Sequence, residues 1–138
     1  MQRILALDVG DVRVGLAVSD PLGITAQGLE TYTRTGDVDK DCNYIINIAK
    51  KYAPVKLLFG LPKNMDGSEG FQSKKVRDFA EEIIKRYACE HVFYDERLTT
   101  VSAKRIMNER MMKTKNNKAA IDRIAAAVIL QSYLDSII

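Results

Sequence analysis

Two apolar runs and two amphipathic stretches predict an α/β fold built on a mixed sheet. The first, Ile4–Leu7, is continuous, and the second, Val55–Phe59, is broken only by Lys56; both read as buried central strands. The stretches, 38–52 and 73–87, repeat apolar residues at helical spacing and alternate with the strand runs, as such a fold requires.

Taken in order, Ile4–Leu7 opens the sheet, and Val12–Val18 alternates in part and should pair with it through a Gly10-Asp11 turn. Thr25–Thr33 is a more polar strand, expected at or near an edge. Asp37 can cap a helix over Val38–Tyr52, whose apolar face is Cys42, Ile45, Ile46, Ile48, Ala49 and Tyr52. Pro54 stops it. Val55–Phe59 ends in Gly60-Leu61-Pro62, and a polar loop, KNMDGSEG, follows. Ser73 or a neighbour starts a helix to about Tyr87, with Val76, Phe79, Ala80, Ile83 and Ile84 inward. His91–Tyr94 is the last strand and leads into Asp95-Glu96-Arg97. Thr99 or Thr100 caps a helix through Met112, and the basic stretch KTKNNK separates it from a final helix, Ala119–Ser136. The order is βββ, αβ, αβ, αα. No repeat or linker divides it, so the 138 residues are expected to form one domain, 1–138.

The 46% hydrophobic and 28% charged fractions are those of an ordinary globular protein. A net charge of +3 is compatible with a polyanionic partner without requiring one. Cys42 and Cys89 are far apart, and His91 beside Cys89 adds one donor too few for a tetrahedral zinc site. Reduced thiols, only four apolar residues before Asp8, and no membrane-length run point to a cytoplasmic protein without a membrane partner.

Three acids stand at element ends. Asp8 closes the first apolar run. Asp-x-Gly alone is more often an Asx turn than a site, by roughly two to one. Asp95 and Glu96 end the last strand, where ligands gather in open α/β sheets, although helix capping explains them as well. Their side chains point to opposite faces if both are strand-like, so one of the two would join a site. Asp122 and Arg123 are the only charges between Ala119 and Leu134. Asp122 shares a helical stripe with Ala126, Ile129 and Tyr133, which turns it inward, and the alanines at 125–127 allow a close approach to the sheet. Converging carboxylates repel and need a counter-charge. Oxygen-only donors suit Mg²⁺ or Mn²⁺, and a pair of such ions can activate water and stabilise a leaving oxygen in phosphodiester cleavage. Asp8, the central acid, would bridge both ions.

The blocks Asp8-x-Gly10-x-x-Arg13-x-Gly15-x-Ala17-x-Ser19-Asp20, Gly60-Leu61-Pro62 with Asn64-Met65-Asp66-Gly67-Ser68-Glu69-Gly70, Asp95-Glu96-Arg97-Leu98-Thr99-Thr100, and Asp122-x-x-Ala125-Ala126 with Ile129-Leu130-Gln131-Ser132-Tyr133-Leu134 span nearly the whole chain. Together they resemble the YqgF-type (RuvX) family. The resemblance implies an RNase H-like fold, a five-stranded mixed sheet in the order 3-2-1-4-5 flanked by helices. It also implies a metal-dependent nuclease. Members of that family are described as Holliday junction resolvases and as nucleases maturing the 5′ end of pre-16S rRNA. Carried over by position, the catalytic and metal-binding acids are Asp8, Glu96 and Asp122, with Asp95 in reserve for the second place. The segment before Asp122 is often richer in arginine in the family than the lysine-asparagine run here.

Candidate phosphate contacts are Lys113, Lys115 and Lys118 in the loop before Asp122, with Arg13 and Arg97, whose guanidinium groups can hold a phosphate bidentately. Backbone amides of residues 66–70 could also cup an anion. Lys74, Lys75 and Arg77 are most simply solvated charge. The leading reading is a Mg²⁺/Mn²⁺-dependent endonuclease acting on precursor rRNA, with branched DNA as the alternative substrate, as a monomer or homodimer. A non-catalytic nucleic-acid-binding module would be expected to lack one of the acids. An actin-like phosphotransferase would need two such halves.

Overall fold

Side-chain alternation on the two central strands determines where everything else can pack. The structure is a computed structural model that describes residues 2–99, 105 and 118–137. Strand β1 (Arg3–Val9) pairs antiparallel with β2 (Arg13–Ser19) and parallel with β4 (Val55–Leu61). Strand β3 (Ala26–Thr33) pairs antiparallel with β2, and β5 (His91–Asp95) lies parallel to β4. The sheet order is therefore 3-2-1-4-5 with β3 and β5 at the edges, as the family resemblance implied.

On one face Leu5, Leu7, Val14, Leu16, Val18, Leu57 and Phe59 pack against helices α1 (Val38–Lys51) and α2 (Phe71–Arg86). On the other Ile4, Ala6, Ala17 and Leu58 meet Ala126, Leu130, Tyr133 and Leu134 of helix α3 (Lys118–Ser136). Because β-strand side chains alternate, every residue in phase with Ile4 and Ala6 points toward α3. Asp8 is in that phase. So are Arg13 and Gly15 on β2 and Gly60 on β4, while Tyr94 on β5, in phase with Glu96 just beyond it, packs on the same face.

Local chemistry sets the boundaries. Asp37 caps α1 by accepting from the Asp39 and Lys40 amides. Helix α2 starts at Phe71, two residues before the expected Ser73, with Gly70 as a cap that offers no side chain. The Ser73 hydroxyl instead donates to the Pro62 carbonyl, tying the first turn of α2 to the end of β4. The β1–β2 turn also sits one residue later than expected. The last strand pair is Val9↔Val14, Gly10 N–H donates to the Arg13 carbonyl at 2.8 Å, and Val12 stands 58% exposed in the turn. Strand β4 runs two residues past Phe59, and β5 one past Tyr94. The helix expected from Thr99 or Thr100 to Met112 lies outside the described residues apart from Arg105, which is helical. Thr99 closes a 3-10 turn, Glu96–Leu98, by donating its hydroxyl to the Glu96 carbonyl at 2.9 Å. Among the described residues no helix is long and apolar enough to cross a membrane.

Candidate active site

The carboxyl ends of β1, β4 and β5 meet at one edge of the sheet, under the N-terminal turn of α3. Asp8, the next α3-facing residue after Ala6, projects there from β1. Glu96 opens the 3-10 turn directly after β5, and its side chain reaches over β4. It can do so because residue 60 is glycine: a Cβ there would lie 2.7 Å from Glu96 Oε1 and 2.8 Å from Ile129 Cδ1. Asp122 is delivered by α3, whose backbone presses on β2 at Gly15. A Cβ at Gly15 would lie only 2.2 Å from the Asp122 carbonyl oxygen, and at Gly28 on β3 one would lie 3.4 Å from the Arg123 carbonyl oxygen. The register pairs Gly15 with Asp8 itself, so the glycine that admits the helix stands beside the first acid.

The electrostatics are those of crowded carboxyl groups. The Asp8 and Glu96 carboxyl groups lie close enough to influence each other's ionisation. Burial, followed by the negative charge of Asp122, raises the Asp8 pKa above the ordinary carboxylate value, and the hydrogen bond from Glu96 offsets this in part. Burial, with the charge and hydrogen bond of Asp8, pushes Glu96 up to about 7. Both shifts favour the protonated form of carboxyl groups that would otherwise repel. The third acid is neutralised differently: Arg13 Nε donates to Asp122 Oδ2 at 2.5 Å. Asp8, Glu96 and Asp122 are thus neighbours, but among the described residues no three acidic, histidine or cysteine side chains are drawn up to enclose a metal ion. Asp122 is turned to the arginine.

Asp95 points the other way. It accepts from the Arg97 backbone N–H at 2.9 Å and from the Arg97 guanidinium at 2.7 and 3.0 Å, and that guanidinium holds its pKa low. Arg97 also donates to the Met65 carbonyl at 3.2 Å. It thus braces the loop after β4 from the strand-end turn, and Met65 at the loop's tip is 99% exposed. Of the basic candidates, then, Arg13 and Arg97 are each committed to an acid. Lys113 and Lys115 lie outside the described residues, and Lys118 is described only as the first residue of α3. Sequence reasoning overlooked Gly15, Gly28 and Gly60 as the residues that admit the acids. The available signal was glycine inside a strand pattern, which marks a close backbone approach.

Comparison with known proteins identifies the family and the fold. A family model described as RuvX, Holliday junction resolvase, matches residues 2–136. A protein of Clostridium tetani is 47% identical over 98% of this chain and 97% of its own length. One of Desulforamulus reducens is 45% identical over 97% of both chains. Both carry the name "Putative pre-16S rRNA nuclease". Among solved structures, T. thermophilus RuvC in complex with a Holliday junction substrate is similar in fold, with a TM-score of 0.62 at 12% identity over 99% of this chain and 95% of that one. The Fowlpox virus resolvase bound to junction DNA gives 0.60 at 12% identity over 99% of both.

Proposed function

The chain belongs to the RuvX family, and from that membership and the clustered acids we propose that it is a divalent-metal-dependent endonuclease acting on precursor 16S rRNA. The observation that carries this reading is the buried Asp8–Glu96 carboxyl pair at the carboxyl edge of the sheet, with the charge of Asp122 beside it. A buried acid pair is unfavourable in a purely structural role, because two apolar residues would pack there at no electrostatic cost. Its oxygen-only donors suit a hard cation, whose charge would offset theirs. Asp8, Glu96 and Asp122 would hold Mg²⁺ or Mn²⁺, two ions in our reading. Such ions, when bound, supply an activated water and charge stabilisation at the leaving oxygen.

The protein's own contribution is placement. Asp8 is fixed by the β1 ladder, and Glu96 by the 3-10 turn and the space above Gly60. Phosphate contacts are assigned to Arg13, Arg97, Lys113, Lys115 and Lys118. Asp95, paired with Arg97, orients the turn rather than the ions. The same reading places the protein in the cytoplasm, where ribosomal precursors are, as one nuclease domain that is monomeric or homodimeric.

Incubating the protein with a 5′-extended 16S rRNA fragment and with a four-way DNA junction in parallel, each with Mn²⁺, tests the reading. RNA cleavage that disappears in a folded Asp8→Asn variant is expected. Undiminished cleavage by that variant would overturn it, and junction cleavage alone would transfer the activity to branched DNA.

A further inference from the structure

Among the described residues Arg13 is the cation paired with a member of the acid cluster, and its contact is on the wrong partner for a simple phosphate ligand. It projects from the first residue of β2, in phase with Gly15, and so toward the N-terminal turn of α3. Its backbone is pinned by the hydrogen bond from Gly10 that closes the hairpin. Asp122 is equally fixed, since its carbonyl packs on Gly15. Two immobilised backbones therefore present the guanidinium and the carboxylate to each other at 2.5 Å, across 109 positions of sequence. The side chains are 34% and 29% exposed, so the pair sits at the mouth of the site, where an arginine can leave for solvent without burying an uncompensated charge.

Charge accounting gives this contact a purpose. Three clustered acids and one guanidinium leave the cluster with more acid groups than cations among the described residues. To offer Asp122 Oδ2 to a divalent ion, the protein would have to release it from Arg13. The oxygen has one strong partner at a time in that direction.

We propose that Arg13 is a resident counter-ion for Asp122, which surrenders the carboxylate when a divalent cation binds and thereby frees its guanidinium for the phosphate. This rests on the metal-dependent reading above. It makes ion loading the step that unmasks a phosphate-binding group, so that an ion-free protein has neither a complete acid set nor an unoccupied arginine.

Direct Mn²⁺ titration, followed by the electron paramagnetic resonance signal of free Mn²⁺, tests this without any nucleic acid. Arg13→Gln should bind Mn²⁺ about tenfold more tightly than the natural protein, the scale of one charge-assisted hydrogen bond no longer competing. Arg13→Lys, which keeps the charge and loses the planar fork, should show a smaller gain in the same direction and serves if Arg13→Gln does not fold. In an Asp122→Asn background, Arg13→Gln should change the affinity little. Equal or weaker Mn²⁺ binding by both Arg13 variants would overturn the proposal, because Arg13 would then merely brace Asp122. So would a gain that persists in full in the Asp122→Asn background, because the effect would then be diffuse charge repulsion. Absence of Mn²⁺ binding in every variant would remove this proposal and the metal-dependent reading together. The expected affinities without cleavage of any nucleic acid would leave Arg13 in this role and remove only the nuclease reading.

Discussion

Replacing Gly15 with alanine adds one methyl group to a strand interior and should disable the protein. The added carbon would stand 2.2 Å from the Asp122 carbonyl oxygen, 2.7 Å from its carbonyl carbon and 3.3 Å from the Arg123 nitrogen. A carbon–oxygen contact relaxes only beyond about 3.2 Å, so the turn of α3 that carries Asp122 must retreat by roughly 1 Å. The obstructing atoms are backbone, so no rotamer change relieves the clash. Overpacking of this kind costs about 1–3 kcal/mol. In a chain of this length that lowers Tm by roughly 4–12 °C. Activity should suffer more than stability. A 1 Å displacement of a catalytic group costs on the order of 100-fold in rate, and Asp122 rides on the displaced turn. Thermal unfolding by circular dichroism and Mn²⁺-dependent RNA cleavage, measured on the same preparation, give both numbers. A Gly15→Ala protein with the natural Tm and natural kcat would refute the idea that this glycine sets the position of Asp122.

Glu96→Gln should stabilise the ion-free protein at alkaline pH. With a folded value of about 7 against 4.5 for the free side chain, Glu96 favours the fold below about pH 4.5, and this contribution is lost as pH rises toward 7. The variant should therefore gain about 1–3 kcal/mol over the natural protein between pH 5 and 8 in urea melts, and parallel pH profiles would contradict the buried acid pair. Asp41, inside α1 and 1% exposed, accepts from the Tyr32 hydroxyl at 2.7 Å, the Thr35 amide at 3.0 Å and the Thr35 hydroxyl at 2.9 Å. Burial opposes its ionisation, but these donors outweigh it and hold its pKa low, so its contribution persists above about pH 4 and fades in acid. Asp41→Ala should cost about 2–4 kcal/mol by stranding those donors while leaving Mn²⁺ affinity unchanged, and a loss under 1 kcal/mol would show the β3–α1 junction to be held otherwise. Arg97→Ala should leave global stability almost unchanged, since the pair is partly exposed, yet speed tryptic cutting after Lys63 several-fold. An unaltered digestion rate would mean that Arg97 does not brace that loop.

The sheet was readable because its information is local. Short apolar runs, one Asp cap and one Pro stop place β1, β4 and α1 without any knowledge of neighbours, and the polar character of 25–33 marks β3 as an edge. The three acids were readable from their positions at element ends, and the alternation of β5 already separates Asp95 from Glu96. Contacts between distant segments were less accessible. Ser73 looks like a helix cap by sequence, yet bonds Pro62 because β4 ends beside it. Asp41 falls on the buried face of α1 and becomes tolerable only through donors from β3 and its following loop. Arg13 has the spacing of a phosphate ligand. Nothing within ten residues of it reveals that its partner lies on α3.

Asp8 belongs to the first strand and Asp122 to the last described helix. While the polypeptide is still emerging from the ribosome, it can assemble the hairpin and even the five-stranded platform before Asp122 has been delivered. Until α3 docks, Ile4, Ala6, Ala17 and Leu58 lie bare, and the acid cluster lacks its third member. The acid cluster is thus incomplete until the last described helix has joined the sheet, its third member being supplied from across the sequence.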